Sequence, residues 1–253
     1  MLSKAIIRLP AISVVNGITT ANLGKPDYDL LVRQHDNYAD TLESCGVEVL
    51  KLPEMEDFPD SVFIEDVAIV TPFFALITNP GADSSKGETE GLSDILAPYF
   101  MDVESIEAPG TLDGGDVLQV GDHFFIGISE RTNLNGAFQL ILILKKQMLT
   151  GSTIQINKLL HLKSGISYLG NNNLLLGEEL SDHPSFEEFN LIKVDRDEAY
   201  AANAILVNNR IILPAGYPKT KSKIEIEGYQ TIELDMSEFQ KLDGGLSCLS
   251  LRY

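Results

Sequence analysis

The sequence predicts an α/β fold arranged as a ring of repeated units, each with a pair of short strands and a helical segment. Short β-rich runs recur in pairs along the chain. Their first members begin at positions 66, 116, 164, 203 and 248, so successive units start 50, 48, 39 and 45 positions apart. Repeats of this length are typical of propellers and other radial arrays. The N-terminal strand has no preceding partner, which predicts that it pairs with the last strand and closes the ring.

The strands are assigned from short apolar runs bounded by turn residues. First strands are expected at 66–70, 116–120, 164–168, 203–207 and 248–251, and second strands at 5–8, 75–78, 124–127, 174–177 and 211–213. Turn pairs such as Gly121-Asp122 and Asn208-Asn209 separate the members of some pairs, as in hairpins. The alternative is a generic α+β sheet in which apolar runs recur by chance.

The helical segments make the repeat α/β rather than all-β. The longest pattern covers 28–44, where apolar residues recur among charges and Gly46 is placed to end the helix. The second covers 133–149, with Asn133 as its N-cap. Shorter helices are expected at 88–99, 185–188, 219–227 and 237–241.

Composition limits the possible partners and the compartment. The 253 residues carry a net charge of −18, which repels phosphate backbones and mildly favours a cationic ligand. No apolar run approaches the roughly 20 residues that span a bilayer, and Pro10 interrupts the short N-terminal run, unlike a signal peptide. Two cysteines are too few for a disulfide framework. We therefore expect a cytoplasmic protein that binds neither nucleic acid nor membranes.

The sequence also lacks the common cofactor motifs. The four histidines form no H-x-x-x-H pair, which argues against a dedicated zinc site. There is no G-x-x-x-x-G-K-[ST] and no G-x-G-x-x-G after a strand, so no bound nucleotide is expected. The prediction is a protein without a metal or an organic cofactor.

In a closed ring the starts of equivalent strands converge on the axis. The polar residues at or just before those starts are Glu65, Asp66, Asp113, Asp116, His161 and Cys248. A thiol is a nucleophile, an imidazole is a general acid or base, and carboxylates bind a cation. Each residue also has an ordinary reading: a buried cysteine behaves as a small hydrophobe, a histidine among leucines is often core, and Asp-Gly is common in turns.

Several blocks of the chain, in order, resemble the dimethylarginine dimethylaminohydrolase family of guanidine-modifying enzymes. They are 23–26, 58–66, 106–116, 127–133, 160–169, 200–203, 214–218 and 242–250. The resemblance implies a five-bladed α/β-propeller, or pentein, with pseudo-fivefold ββαβ-type repeats in one catalytic domain over residues 1–253. It also implies hydrolysis of an N-methylated arginine to citrulline and an alkylamine through a covalent thiouronium. It suggests a homodimer.

Site roles follow from the same resemblance. It implies Cys248 as nucleophile, His161 as acid/base and Asp113 as the carboxylate that orients the histidine. The substrate would be bound by Asp66 at the guanidinium, Asp60 at the α-amino group and Arg131 at the carboxylate, with Phe63, Glu65 and Ser247 lining the pocket and Ile18 in a lid loop.

Two departures from the family pattern affect the choice of substrate. A second arginine is usual after Pro80-Gly81, but this chain reads Ala82-Asp83-Ser84-Ser85-Lys86, so Lys86 is the expected substitute. If Lys86 does not substitute, the alternative is an arginine deiminase-like or other guanidino or ureido hydrolase with altered carboxylate recognition. Arginine deiminases typically have Asp at the position of Lys163, and its absence favours an N-alkylated substrate. A catalytically silent propeller that binds a cationic metabolite or a protein partner is the non-enzymatic alternative.

Overall fold

The computed structural model describes residues 1–253 and contains five separate sheets of three strands each. The strands are β1 Lys4–Arg8, β2 Glu48–Leu52, β3 Ala68–Val70, β4 Phe74–Ile77, β5 Asp102–Ser105, β6 Val117–Val120, β7 His123–Ile128, β8 Thr150–Gln155, β9 Ile166–Gly170, β10 Asn173–Leu176, β11 Asn190–Lys193, β12 Ile205–Val207, β13 Arg210–Pro214, β14 Gln230–Leu234 and β15 Leu251–Arg252. The helices are α1 Tyr28–Ser44, α2 Leu92–Leu96, α3 Leu134–Lys146, α4 Pro218–Ile226 and α5 Ser237–Gln240.

Every sheet repeats one topology. The middle strand pairs antiparallel with the strand on the inner side and parallel with the strand on the outer side, giving the orders β15-β1-β2, β3-β4-β5, β6-β7-β8, β9-β10-β11 and β12-β13-β14. A helical segment connects each middle strand to its outer strand, as a parallel crossover requires. The predicted α/β ring with ββαβ units is confirmed.

The ring closes where the sequence predicts. Strand β15 pairs antiparallel with β1, with Ala5 opposite Arg252 and Ile6 opposite Leu251. The first sheet therefore joins the two ends of the chain.

The outer strands are the elements that the sequence analysis missed. The middle strands are almost continuously apolar and buried, whereas β2, β5, β8, β11 and β14 are largely exposed or half-buried. Their polar residues face solvent at the rim of the ring, which weakens the apolar signal of a strand.

The predicted first strands begin too early. At or just before each predicted start, the chain instead forms a 3₁₀ turn that precedes the inner strand: Ile64–Val67, Gly114–Asp116, Leu162–Ser164, Arg196–Ala202 and Ser247–Leu249. We call these the axial turns, because successive members contact one another around the centre of the ring. Hydrogen bonds between Asn203, which ends the fourth turn, and Ser247 complete the circle.

The two long helices form where predicted, although α3 ends at Lys146 rather than at 149. The predicted helices at 219–227 and 237–241 are α4 and α5 within one residue, and the other two shorter ones differ. Helix α1 spans the predicted residues, and Asn133 caps α3 by accepting from the Gly136 N–H at 2.9 Å. The predicted helix at 88–99 shrinks to α2 because Gly91, with φ of 71°, breaks it. The segment 185–188 is a 3₁₀ turn at Pro184–Phe186. No helix is both long and apolar enough to cross a bilayer.

The core is divided among five apolar clusters between neighbouring sheets and their helices. The largest packs α1 against β1, β12 and β13, with Tyr38 and Phe239 fully buried. The helices pack on the outside of the sheets, so the inner strands and the axial turns surround a central channel. The polar residues of the axial turns therefore face this channel.

Candidate active site

The axial turns bring the predicted catalytic residues to one pocket. Asp66 lies within the turn Ile64–Val67 and Cys248 within Ser247–Leu249. Asp113 and His161 immediately precede the second and third turns. All four side chains line a cavity of about 60 Å³ on one side of the ring.

Two consecutive glycines permit the close approach of the first three turns. A Cβ atom on Gly114 would lie 1.9 Å from the backbone oxygen of Glu65, and one on Gly115 would lie 2.7 Å from Asp66 Oδ1 and 2.8 Å from the His161 ring. Any other residue would push these turns apart. The Asp-Gly-Gly-Asp run therefore has a packing function beyond turn formation.

His161 lies between two carboxylates. Its Nε2 is 3.0 Å from Asp113 Oδ2, and its Nδ1 is 4.0 Å from Asp66 Oδ1. Burial alone lowers the pKa of His161, but the charge of Asp66, the hydrogen bond to Asp113 and the charge of Asp116 together raise it to about 10. At neutral pH the imidazole is therefore protonated and is able to act as an acid.

Backbone and hydroxyl donors fix the carboxylates. Asp113 Oδ1 accepts from the Gly81 N–H at 2.7 Å, and Asp66 Oδ1 accepts from the Gly115 N–H at 2.9 Å. Asp116 is fully buried and does not line the pocket; it accepts from the Leu162 N–H at 2.9 Å. Its function is to hold the turn that follows His161, so it differs from the other carboxylates.

Burial raises the pKa of both the Cys248 thiol and the Asp66 carboxyl. Burial, followed by the charges of Glu65 and Asp66, raises the pKa of Cys248 to about 12, although the Gly245 N–H, 3.4 Å from Sγ, opposes this. Burial, helped by Asp113 and Glu65 and opposed by His161, raises the pKa of Asp66 to about 7. A cation bound between these groups would lower the pKa of both, because it favours their ionised forms.

The wall of the pocket contains most of the predicted substrate-binding residues. Those present are Ile18, Asp60, Phe63, Asp66 and Arg131. The segment with Ile18 is anchored on Asp60, whose Oδ1 accepts from the Ile18 N–H at 3.0 Å, and on Asp243, whose Oδ2 accepts from the Thr20 N–H at 2.6 Å. This segment covers one side of the pocket.

Three predicted residues lie elsewhere. Lys86 does not line the pocket; its Nζ is 2.5 Å from Asp83 Oδ1, and its side chain is half exposed. Glu65 and Ser247 point to the opposite side of the axial turns, where Ser247 Oγ donates to Glu65 Oε2 at 2.8 Å. These two residues support the pocket from behind rather than line it.

Sequence reasoning also missed residues that do line the pocket: Ser85, Glu88, Leu160, Leu242, Asp243 and Gly244. Glu88 is 3% exposed, and burial together with the charges of Asp60 and Asp66 raises its pKa to about 8. Leu160 and the run Leu242–Gly244 lie within the family-like blocks 160–169 and 242–250, whereas Ser85 and Glu88 carry no local signal. Arg131 is the one arginine or lysine on the pocket wall.

The arrangement suits a flat cation held between carboxylates with a thiol beside it. The ligand atoms of Asp66, Asp113 and His161 lie within 4.8 Å of one another, a spacing that a metal ion also accepts. Imidazolium at neutral pH is a poor metal ligand, because a metal requires the neutral ring. The expectation of a metal-free site stays a prediction.

Comparison with known proteins gives close relatives of the whole chain. It is 50% identical over 254 residues to the N(G),N(G)-dimethylarginine dimethylaminohydrolase of Pseudomonas aeruginosa, with 100% of both chains covered. It is 36% identical over 251 residues to the protein of the same name from Streptomyces coelicolor, covering 98% of this chain and 96% of the relative. No protein-family model matches the chain.

Solved structures give the same result. The Pseudomonas aeruginosa enzyme, as a cysteine-to-serine mutant in complex with citrulline, superposes with a TM-score of 0.98 over 100% of both chains at 50% identity. The N-terminal domain of ArgZ, covalently bound to a reaction intermediate, superposes with a TM-score of 0.88 at 20% identity, covering 100% of this chain and 97% of that one. The second likeness concerns the fold alone.

Proposed function

The chain belongs to the N(G),N(G)-dimethylarginine dimethylaminohydrolase family, and we propose that Cys248, His161 and Asp113 carry out its reaction. The protein is a hydrolase of C–N bonds that converts dimethylarginine to citrulline through a covalent intermediate. The observation that carries the residue assignment is the meeting of a thiol, an imidazolium and two carboxylates in one small pocket.

The carboxylates bind and activate the guanidinium carbon. Asp66 and Asp113 flank His161 and supply two acceptors for N–H groups of a planar cation. The carbon is a poor electrophile because its charge is delocalised over three nitrogens. Contacts that localise this charge strengthen as the carbon becomes tetrahedral, and they therefore lower the barrier rather than only bind the substrate.

Cys248 is the nucleophile. Only its thiolate attacks at a useful rate, whereas burial raises the pKa of the thiol to about 12. The bound cation favours the thiolate, so ionisation accompanies substrate binding and the thiol proton passes to solvent. Sulfur then adds to the guanidinium carbon and forms the tetrahedral adduct.

His161 moves the remaining protons. Its imidazolium donates a proton to the alkylated nitrogen, the C–N bond breaks, and dimethylamine leaves a thiouronium on Cys248. The neutral ring next takes a proton from water, and the hydroxide adds to the same carbon. Cleavage of the C–S bond returns the thiolate, and the new hydroxyl group loses its proton to solvent as citrulline is released. Asp113, 3.0 Å from Nε2, orients the ring in both half-reactions.

Recognition of the far end of the substrate rests on few groups. Asp60 supplies a carboxylate for the α-amino group, and Arg131 supplies the cation for the α-carboxylate, with the segment around Ile18 covering the pocket. Lys86 pairs with Asp83 outside the pocket, which argues against its proposed substitution for a second arginine. This favours a second candidate function: hydrolysis of guanidino compounds without an α-carboxylate.

Further proposals concern the assembly and its surroundings. We propose one catalytic domain over residues 1–253, since the five sheets surround a single channel and the N-terminal and C-terminal strands pair in one sheet. Both cysteines are free, which supports a cytoplasmic location. The net charge of −18 argues against nucleic acid as a partner. A homodimer is proposed from the family resemblance.

The test is detection of ureido product from three substrates: asymmetric dimethylarginine, arginine, and a dimethylguanidino alkylamine without the α-carboxylate. We expect product from the dimethylated compounds and a fall of about 10⁴-fold or more in Cys248→Ser. The matched control is Cys45→Ser, because Cys45 follows α1 outside the pocket and its loss leaves the rate near wild type. A wild-type rate in Cys248→Ser would refute the assignment of the nucleophile. Product from dimethylarginine alone would exclude the second candidate function.

A further inference from the structure

The axial turns form a polar constriction that divides the central channel. Lys163 Nζ lies 2.6 Å from Glu65 Oε1, and Ser247 Oγ donates to Glu65 Oε2 at 2.8 Å. Asn203 Nδ2 donates at 3.0 Å to both the backbone oxygen of Lys163 and Ser247 Oγ. The backbone of Gly114 packs against that of Glu65, so each of the five axial turns contributes to the constriction. The catalytic pocket lies on one side of the constriction.

A second and larger cavity lies on the other side. Its volume is about 340 Å³, within the roughly 300–1,000 Å³ usual for small-molecule sites. The wall is mostly apolar and is formed by all five inner strands, through residues such as Ile69, Leu118, Ile166, Ile205 and Leu251. Gln119 is exposed and marks the rim. We call this space the far cavity.

The floor of the far cavity carries one excess positive charge. Lys163 and Arg252 both line it, and Glu65 is the one carboxylate on its wall. Arg252 Nη2 lies 3.5 Å from the same Glu65 Oε1 that Lys163 contacts, so two cations share one carboxylate. Both basic side chains remain about 15% exposed, and Glu65 is the only carboxylate within 4 Å of either. An ammonium has three donors, and Glu65 uses one of those on Lys163.

We propose that the far cavity is a second binding site, for a small monoanion with an apolar body such as a short-chain or aromatic carboxylate. The carboxylate would accept hydrogen bonds from Lys163 and Arg252 and neutralise the excess charge of the floor. The hydrocarbon part would cover the apolar wall. A neutral molecule of the same shape lacks the charge-assisted hydrogen bonds to Lys163 and Arg252. A cation is repelled by the positive charge of the floor.

Occupancy of the far cavity is coupled to the catalytic thiol through Glu65. An anion that draws Lys163 away leaves Glu65 less neutralised, and Ser247, which donates to Glu65, directly precedes Cys248. The negative charge near the sulfur then disfavours the thiolate. By thermodynamic linkage, an anion that disfavours the Cys248 thiolate binds more weakly to the protein when that thiol is ionised.

The experiment uses hexanoate as the probe, with hexanamide and hexylammonium as matched controls, and calorimetry on the intact protein. We expect saturable binding of hexanoate, at least tenfold weaker binding of hexanamide, and none of hexylammonium. Binding should persist after alkylation of Cys248, which separates the far cavity from the catalytic pocket. Equal binding of the amide, or loss of binding after alkylation, would overturn the proposal.

Two variants locate the site. Lys163→Met should weaken hexanoate binding about tenfold or more, since it removes a charge-assisted hydrogen bond. Gln119→Glu places a negative charge at the exposed rim without disturbing packing, and it should weaken binding about threefold. Gln230→Glu, exposed on β14, is the matched control and should bind as wild type. Unchanged binding in both test variants would refute the assignment.

The coupling has its own readout. Saturating hexanoate should slow the reaction of iodoacetamide with Cys248, followed by peptide mass spectrometry so that Cys45 serves as an internal reference. An unchanged rate would exclude the coupling. Neither measurement requires turnover, so the outcome is independent of whether dimethylarginine is hydrolysed.

Discussion

Replacement of Asp113 by asparagine tests the acid/base assignment most directly. Asp113 is 5% exposed, accepts from the Gly81 N–H at 2.7 Å through Oδ1, and holds His161 Nε2 at 3.0 Å through Oδ2. An asparagine has nearly the same shape but lacks the charge. If its oxygen keeps the Gly81 contact, its NH₂ group faces Nε2 and donates to it, which stabilises the neutral ring instead of the imidazolium.

The magnitude follows from the loss of one adjacent charge. Removal of a carboxylate in contact with an imidazolium lowers its pKa by about 1–3 units, or about 1.4–4 kcal/mol. The pKa of His161 should therefore fall from about 10 to between roughly 7 and 9. The NH₂ group of the asparagine also opposes the Nε2–H of the imidazolium and turns the ring away from the leaving amine, so kcat should lose most of the roughly 10²–10⁴-fold that general-acid catalysis contributes.

The assay is the pH dependence of kcat/KM for asymmetric dimethylarginine, measured by ureido product. A group that must be protonated loses activity as pH rises through its pKa, so the alkaline limb should move to lower pH in Asp113→Asn. Asp113→Glu is the control: it keeps the charge and should stay within about tenfold of wild type. A wild-type kcat and an unmoved alkaline limb in Asp113→Asn would refute the reasoning.

Two further predictions concern stability. Burial raises the pKa of Glu88 to about 8 from its ordinary 4.5, so the folded protein binds a proton more tightly than the unfolded chain and loses stability as pH rises between these values. Glu88→Gln should therefore raise Tm by several degrees at about pH 9 and leave it unchanged near pH 4.5; an equal effect at both would disprove the titration. Gly114→Ala should destabilise by about 3 kcal/mol, because its Cβ would overlap the Glu65 backbone oxygen, whereas Gly177→Ala, whose nearest contact is 3.8 Å away, should be close to neutral in urea unfolding.

The ring could be predicted because its middle strands are buried on both faces. A strand such as β10, Asn173-Leu174-Leu175-Leu176, is wholly buried and stands out as an apolar run. The outer strand β5, Asp102-Val103-Glu104-Ser105, has no fully buried residue and resembles a loop. The segment is a strand because it pairs in parallel with β4, and its own residue pattern does not indicate that pairing.

The meeting of Asp66, Asp113, His161 and Cys248 in one pocket could be predicted because equivalent positions of a ring converge, whatever their exact secondary structure. The pocket wall is different, since it depends on contacts between distant segments. Glu88 lies in a polar stretch, at the start of the helix that the sequence predicts at 88–99. In the structure, Gly87 packs so closely on the Phe58 ring that a Cβ would approach it to 2.3 Å, and the next residue is buried at the pocket. Nothing within the stretch itself signals that contact.

The side of the ring that each residue faces is likewise beyond the sequence. Glu65 and Asp66 are consecutive, as are Ser247 and Cys248, and the sequence analysis assigned all four to one pocket. In a 3₁₀ turn consecutive side chains are about 120° apart, so one of each pair reaches the catalytic pocket while its neighbour reaches the far cavity.

Glu65 faces away from the catalytic pocket but lies close enough to Cys248 to affect its ionisation. A carboxylate on the far side, held by two cations, is placed behind the thiol without competing for the guanidinium. Its charge influences Cys248 through the same short turns that position the catalytic groups. Changes of charge on the far side of the axial turns therefore reach the Cys248 thiol electrostatically.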